Sequence, residues 1–87
     1  MLLLNGKRCE SEIIYDIIKF SKSGIKKTSL MYSANLSFYQ LNRYLDRLIE
    51  EEIISEKKNN GSRLFFMTEK GEELLTSLEK IVHFFND

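Results

Sequence analysis

The segment ANLSFYQLNRYLDRLIEEEII, from Ala34 to Ile54, constrains the fold most, because it combines a sharp turn with a two-faced helix. Asn35 tolerates the left-handed backbone conformation that a sharp helix exit requires. Ser37 and Gln40 have the spacing of a capping box, in which each side chain accepts a hydrogen bond from a backbone amide at the helix start. We therefore predict a turn at residues 35–37 and a helix that starts at Ser37.

This predicted helix has one apolar and one polar face when its residues are placed about 100° apart. The apolar face contains Leu41, Tyr44, Leu45, Leu48 and Ile49. The opposite face contains Tyr39, Gln40, Arg43, Asp46, Arg47 and Glu50, with Asn42 at its flank. The pattern predicts that the leucines pack on a core and that both arginines point outward.

Two further helices are predicted before this segment. The first runs from Glu10 to Ser23, because isoleucines recur on one face and Gly24 then supplies a stop signal. That face contains Ile13, Ile14, Ile17 and Ile18. The second is short, from Thr28 to Ala34, with Thr28 as its N-cap. Its inward residues are predicted to be Leu30, Met31 and Ala34.

A β-hairpin is predicted after the third helix. The β-favouring runs IISEKK and RLFFMT flank the turn sequence NNGS. If Asn60 and Gly61 are the central turn residues, Lys58 lies opposite Arg63, and like charges that face each other cost stability. A hairpin tip that touches an anion has a reason to keep this pair, whereas a purely structural hairpin has none.

The last predicted helix runs from Thr68, its N-cap, to Phe85. Glu69 lies in the first turn, where the helix dipole favours an acid, and Gly71 permits close packing. Leucine, valine and phenylalanine then recur with the spacing of a coiled-coil seam. Because this stripe is broader than a small domain covers, we predict a homodimer through Leu74, Leu75, Leu78, Ile81, Val82 and Phe85, with Phe84 widening the stripe.

The charge is divided unevenly along the 87 residues, although the formal net charge is zero. Residues 1–47 contain eight basic and four acidic residues, whereas residues 48–87 contain five and nine. Such asymmetry suggests a partner for the basic half, the alternative being a chance scatter of charges.

A single cysteine, Cys9, excludes an internal disulfide, and together with the absence of a signal sequence it suggests an intracellular protein. The opening MLLLN is too short to span a membrane and suits a short strand or arm.

The sequence from Ser11 to Ser55, followed by FFMTEKGEELL, resembles the small archaeal winged helix-turn-helix DNA-binding proteins. The likeness lies in EIIYDII, in the approach to the second helix, in the ANLS, QL and YL elements of Ala34–Ile54, and in TEKG. Two departures are Glu52, where the family usually has glycine, and a short last helix. The resemblance implies a mainly α (α+β) fold in one domain, 1–87. The helix-turn-helix and a two-stranded wing would occupy residues 10–67, and a C-terminal dimerisation helix residues 68–87.

A helix that reads the major groove needs outward donors that reach base edges and phosphates. Tyr39, Gln40, Arg43 and Arg47 supply such donors, with Asn42 at the flank. The capped helix start at Ser37 offers amides to a phosphate. Lys26, Lys27 and Thr28 suit backbone contacts, and Lys57, Lys58 and Arg63 make the hairpin basic enough for the minor groove or its phosphates. We therefore expect a dimeric DNA-binding transcriptional regulator in the cytoplasm, associated with the nucleoid.

Other interpretations of the same residues remain open at this point. Arg43 and Arg47 can form a solvated face with Asp46 and Glu50 as helix partners. A winged-helix scaffold also serves as a protein-interaction module, which the zero net charge favours. A small-ligand sensor has little support. We expect no enzyme, cofactor or metal site, because no nucleophile, base and oxyanion set converges and neither Cys9 nor His83 has a ligand partner in sequence.

Overall fold

The computed structural model describes the backbone of residues 3–4 and 7–86, and the side chains of residues 9–81 and 84. The elements follow one another as β1 (Leu3–Leu4), β2 (Lys7–Arg8), α1 (Glu10–Phe20), β3 (Ile25–Lys26), α2 (Lys27–Ser33), α3 (Phe38–Glu50), β4 (Ile54–Asn59), β5 (Ser62–Met67) and α4 (Glu69–Asn86). β1 and β2 form a small antiparallel sheet of their own, and β1 lies in the MLLLN segment, for which a short strand or arm was predicted. The other three strands form an antiparallel sheet in the order β3-β5-β4.

α1 ends at Phe20, three residues before the predicted end, and residues 21–23 form a turn. The Ser21 hydroxyl donates a hydrogen bond to the Ile17 carbonyl at 2.7 Å, and the Ser21 carbonyl accepts one from the Met67 amide at 2.9 Å. Gly24 follows with a φ of 93°, and a Cβ at this position would collide with the Phe66 ring. The helix therefore stops where its exit is fastened to the end of β5.

The predicted N-cap of the second helix is wrong. α2 begins at Lys27, with Lys26 in extended conformation as the N-cap residue, and no side chain caps it. Thr28 lies inside the first turn instead. The physical reason is β3, in which Ile25 pairs with Phe65 and Lys26 with Leu64, so that the chain enters α2 directly from a sheet edge. This third strand of the main sheet was not predicted.

Both helix exits around α3 have the same hydrogen-bonded form. After α2, Asn35 has a φ of 55°, and the Leu36 amide donates to the Met31 carbonyl at 3.0 Å. After α3, Glu52 has a φ of 61°, and the Ile53 amide donates to the Leu48 carbonyl at 2.8 Å. This is the Schellman pattern, which favours glycine at the left-handed position. The prediction for Asn35 is confirmed, and Glu52 adopts the conformation that the family's usual glycine takes freely.

The predicted hairpin and its register are confirmed. Asn60 and Gly61 have φ values of 52° and 82°, which is typical of a type I′ turn. Asn59 pairs with Ser62, and Lys58 pairs with Arg63 across the β4–β5 ladder. The two basic side chains therefore face each other next to the turn.

The core lies between the three N-terminal helices and the main sheet. Leu41, Leu45 and Leu48 bring the predicted apolar face of α3 into it, and Tyr44 and Ile49 are half-buried at its edge. Phe65 of β5 is completely buried. The core cluster comprises Ile13, Ile17, Leu30, Ala34, Leu36, Leu41, Leu45, Leu48, Ile54 and Phe65. The inward positions predicted for α1, α2 and α3 are thus confirmed, with Ile14 and Met31 only partly buried.

The start of α4 is hydrogen-bonded to the segment that follows α3. The Thr68 hydroxyl accepts a hydrogen bond from the Gly71 amide at 3.0 Å, as an N-cap does, and also contacts the Ile53 carbonyl at 2.9 Å. Gly71 is buried, and a Cβ there would run into the Ile53 carbonyl oxygen. The predicted cap and close packing at Gly71 are both confirmed, and they fix the direction in which α4 leaves the sheet.

The structure corrects one member of the predicted dimer seam. Leu75 is only 3% exposed, so it belongs to the packing within the chain rather than to a surface. Leu74 and Leu78 are half-buried, whereas Ile81 and Phe84 are 51% and 79% exposed. The side chains of Val82, His83 and Phe85 lie outside the described residues.

Candidate nucleic-acid interface

The start of α3 carries the predicted capping box. The Ser37 hydroxyl accepts a hydrogen bond from the Gln40 amide at 3.1 Å, and the Gln40 side-chain oxygen accepts one from the Ser37 amide at 3.0 Å. The cap therefore uses the oxygen that a glutamine needs for bidentate pairing with an adenine edge. Gln40 is held as a capping residue, and a base contact by both ends of its amide would compete with the cap.

The outer face of α3 is exposed as predicted. Tyr39 is 72% exposed, and Arg43 and Arg47 are both exposed rather than covered by another element. The guanidinium carbon of Arg43 lies 6.0 Å from the centroid of the Tyr39 ring. Asp46 and Glu50 are exposed on the same helix, so the face is mixed in charge. Its first two turns hold Tyr39 and Arg43, and its acids lie further along.

The two sides of α3 contribute different side chains to the grooves beside the helix. A groove of about 420 Å³ runs along one side, between α3, α1 and α4, and it is lined by Arg43 and Arg47 together with Glu10 and Glu51. A smaller groove of about 200 Å³ lies between α3 and the β4–β5 hairpin, and its lining includes Asn42 and Asp46. Arg43 and Arg47 thus lie on the α1 side of the exposed face. The sequence did not predict that an asparagine and an acid would face the hairpin.

The hairpin carries the predicted basic residues, but one of them is paired. Lys57, Lys58 and Arg63 are all exposed, and the Lys57 ammonium lies 5.2 Å from the centroid of the Phe66 ring. Arg63 forms a hydrogen-bonded ion pair with Glu56. This hydrogen bond lowers the pKa of the Glu56 carboxyl below its ordinary value and raises the pKa of Arg63. The positive charge of Arg63 is therefore partly compensated, whereas the two lysines extend the basic surface.

The residues at the start of α2 approach the start of α3. Lys26 and Thr28 are exposed, and Lys27 is half-buried. The Lys27 ammonium lies 4.8 Å from the centroid of the Phe38 ring, which is itself 60% exposed. Phe38 was assigned no role from the sequence, and its seven-residue spacing from Leu45 is that of a core residue. The signal that could have revealed it is its position in the first turn, beyond the reach of the core.

Residues 7–85 match a family model described as winged helix-turn-helix. The chain belongs to the winged helix-turn-helix family. In its terms, α2 and α3 form the helix-turn-helix, β4 and β5 form the wing, and β3 adds a third strand to the wing sheet. The mainly helical α+β fold and the family predicted from the sequence are both confirmed.

The chain is similar to one curated protein and to two solved structures in particular. The uncharacterized protein MJ0287 of Methanocaldococcus jannaschii is 35% identical over 81 residues, which cover 92% of this chain and 79% of that protein. The crystal structure of Sso10a-2, a DNA-binding protein from Sulfolobus solfataricus, matches with a TM-score of 0.82 and 27% identity, over 88% of this chain and 81% of that one. F93 from STIV, a winged-helix DNA-binding protein, matches with a TM-score of 0.71 and 23% identity, over 87% and 91% of the two chains.

The described residues contain no group of three or more histidine, cysteine, aspartate or glutamate side chains placed to hold a metal ion. None of the helices in the described part of the chain has the length and apolar content that a membrane crossing requires.

Proposed function

We propose that this winged-helix chain binds double-stranded DNA as a transcriptional regulator, with α3 in the major groove and the wing on the adjacent minor groove or backbone. The observation that carries the proposal is the capped, outward face of α3, on which Tyr39 and Arg43 are exposed, together with the exposed lysines of the wing, Lys57 and Lys58. The DNA-binding function stated for Sso10a-2, which has a similar fold and 27% identity, supports it. We propose no enzymatic activity for this chain. We propose that it acts in the cytoplasm, associated with the nucleoid.

Each group of residues has a distinct part in the proposed complex. Arg43, exposed on the outer surface of α3, suits a guanine, while Tyr39 suits a phosphate or a stacked base. Arg47 lies on the same side of α3 as Arg43, and Asn42 lies on the side of the hairpin. Lys26, Lys27 and Thr28, together with the amides at the start of α3, suit the phosphate backbone. Lys57 and Lys58 extend the same contact along the wing, so binding falls as salt rises.

The test is a salt titration of duplex binding with single-residue variants. Arg43→Ala is expected to weaken binding by about 1–3 kcal/mol, the usual value of one good base contact. Lys58→Ala is expected to weaken binding to all sequences and to lower the slope of log K against log salt by about 0.9. Lys80→Ala, an exposed lysine on α4, is the control for charge alone. If both interface variants bind like the wild type, the proposal is wrong.

We also propose that the protein is a homodimer through α4. Leu75 anchors the inner side of α4 within the chain, while the apolar side chains of Ile81 and Phe84 are exposed near its end. Apolar surface of this kind is typical of an interface. Sedimentation velocity is expected to give a dimer for the wild type and a monomer for Phe84→Glu, with Ser77→Glu as a control on the same helix. A wild type that stays monomeric at all concentrations would contradict the dimer.

One observation favours a second function, that of a protein-interaction module. Asp46 and Glu56 lie next to Arg63, so acids interrupt the basic surface between α3 and the wing. A protein partner with charges of both signs would suit this surface. The same titration separates the two functions, because a wild type that fails to bind duplex DNA even at low salt favours the protein partner.

A further inference from the structure

Phe38 leaves a large apolar ring in water at the leading end of α3. It is the first residue of the helix and is 60% exposed, although the rest of the apolar face of α3 is buried or half-buried. Side chains on a helix tilt toward its N-terminus, so the ring of a first-turn residue projects past the end of the helix. In a helix-turn-helix the N-terminal residues of the second helix are those that meet base edges.

The ring is accompanied by a positive charge from α2. The Lys27 ammonium lies 4.8 Å from the ring centroid, a distance at which a cation and an aromatic face attract each other. The two side chains thus form one unit, with an ammonium suited to a phosphate and an apolar surface directly beside it. A phosphate held by Lys27 would bring the neighbouring base towards Phe38.

The chemistry of the ring limits what it can recognise. Phenylalanine neither donates nor accepts a conventional hydrogen bond, so it cannot read the polar groups on base edges. In the major groove the apolar group on a base edge is the C5-methyl of thymine, which phenylalanine contacts favourably. A methyl group also covers part of the ring that is otherwise left in water.

We propose that Phe38 is a contact site for the C5-methyl group of thymine in the major groove. This inference rests on the proposed function, because it requires α3 to lie in that groove. It adds a specificity-determining residue and a base preference to that function. The preference depends on the methyl group, so uracil in place of thymine removes it while keeping the same base pairing.

The experiment compares two duplexes of one sequence, with thymine throughout or deoxyuridine throughout, by fluorescence anisotropy at fixed salt. The wild type is expected to bind the thymine duplex about fourfold more tightly for each contacted methyl, the ratio that corresponds to burying one such group. Phe38→Ala is expected to bind both duplexes equally, and Phe38→Leu to keep part of the preference. Tyr32→Ala removes another exposed aromatic ring, on α2, and is expected to keep the wild-type ratio.

Removing the methyl groups also changes the flexibility of the duplex. The comparison of wild type with the variants separates this effect from the loss of a methyl contact. A wild-type ratio of one overturns the inference, and so does a ratio that Phe38→Ala leaves unchanged. In both cases the wild type still binds duplex DNA, so the proposed function stands. Tighter binding to the matching single strand than to either duplex also overturns the inference, because it assigns the ring to base stacking. A wild type that binds neither duplex overturns both proposals together.

Discussion

Replacing Glu56 with glutamine is expected to strengthen DNA binding. Glu56 is paired with Arg63 on the wing, and both side chains are partly exposed, at 26% and 48%. An arginine that contacts a phosphate must leave or share its carboxylate partner, and that carboxylate itself repels the phosphate. Glu56→Gln removes the negative charge but keeps the size and shape of the side chain. The substitution therefore leaves Arg63 able to contact the phosphate backbone of DNA, and the β4–β5 hairpin stays folded.

The size of the effect follows from the number of phosphates contacted. One added contact steepens the slope of log K against log salt by about 0.9, which amounts to about 3.5-fold more change in affinity between 50 and 200 mM salt. We expect Glu56→Gln to gain affinity several-fold at the lower salt and less at the higher. Fluorescence anisotropy over this salt range measures both quantities.

The control for Glu56→Gln is Glu73→Gln, an equal change of charge on the exposed surface of α4. It is expected to leave the slope unchanged. A slope for Glu56→Gln that equals the wild-type slope, or a loss of affinity, would show that Arg63 is not released onto DNA. The wing would then need another role.

Three further predictions concern the junctions and the wing. Gly71→Ala is expected to lower the free energy of unfolding, measured in urea, by about 1 kcal/mol. Although alanine favours a helix, its Cβ would meet the Ile53 carbonyl oxygen. A stabilised variant would contradict the close packing. Glu52→Gly is expected to raise the free energy of unfolding by ~0.5–1 kcal/mol and the Tm by several degrees, because glycine adopts the φ of 61° without strain. A lower Tm would contradict this prediction. The pKa of Glu56 is lowered, so the stability that its pairing with Arg63 adds is present above its ordinary pKa of 4.5 and is lost as pH falls through the lowered pKa. A carboxyl NMR titration should give a midpoint below 4.5, and a midpoint at or above this value would contradict the pairing.

Local sequence signals predicted the parts of the fold that local interactions determine. The capping box of Ser37 and Gln40 connects residues three positions apart, and the turn at Asn60 and Gly61 sets the hairpin register by itself. Periodicity likewise identified the buried face of α3. In these cases the residues that make the structure lie within one or two turns of each other, so the sequence pattern contains the whole interaction.

Long-range pairing produced the features that were missed. β3 has two residues, too few for a strand period, and it exists because Ile25 pairs with Phe65 forty positions later. Because Lys26 belongs to β3, α2 starts at Lys27 and not after Thr28 as predicted. Leu75 fits a coiled-coil spacing equally well whether it faces the chain's own core or a partner, and only the packing decides between them. The same holds for Phe38, whose spacing indicates burial although the core does not extend to the end of α3.

The pairing of Glu56 with Arg63 could have been derived from the predicted register. Glu56 pairs with Phe65 in the ladder, so Arg63, two residues earlier on β5, is its diagonal neighbour. Diagonal neighbours lie within reach of long side chains. The charge of the wing was therefore predictable, and it is less positive than a count of its basic residues indicates.

The most direct test of the account is an NMR titration of the labelled 87-residue chain with a short DNA duplex. If α3 and the wing form the DNA-binding surface, backbone amide signals of residues 37–47 and 57–63 will shift in a saturable way that disappears at high salt. Signals of residues 72–80, in α4, will stay in place. Shifts concentrated in α4 or α1, with the signals of α3 unchanged, would contradict the account.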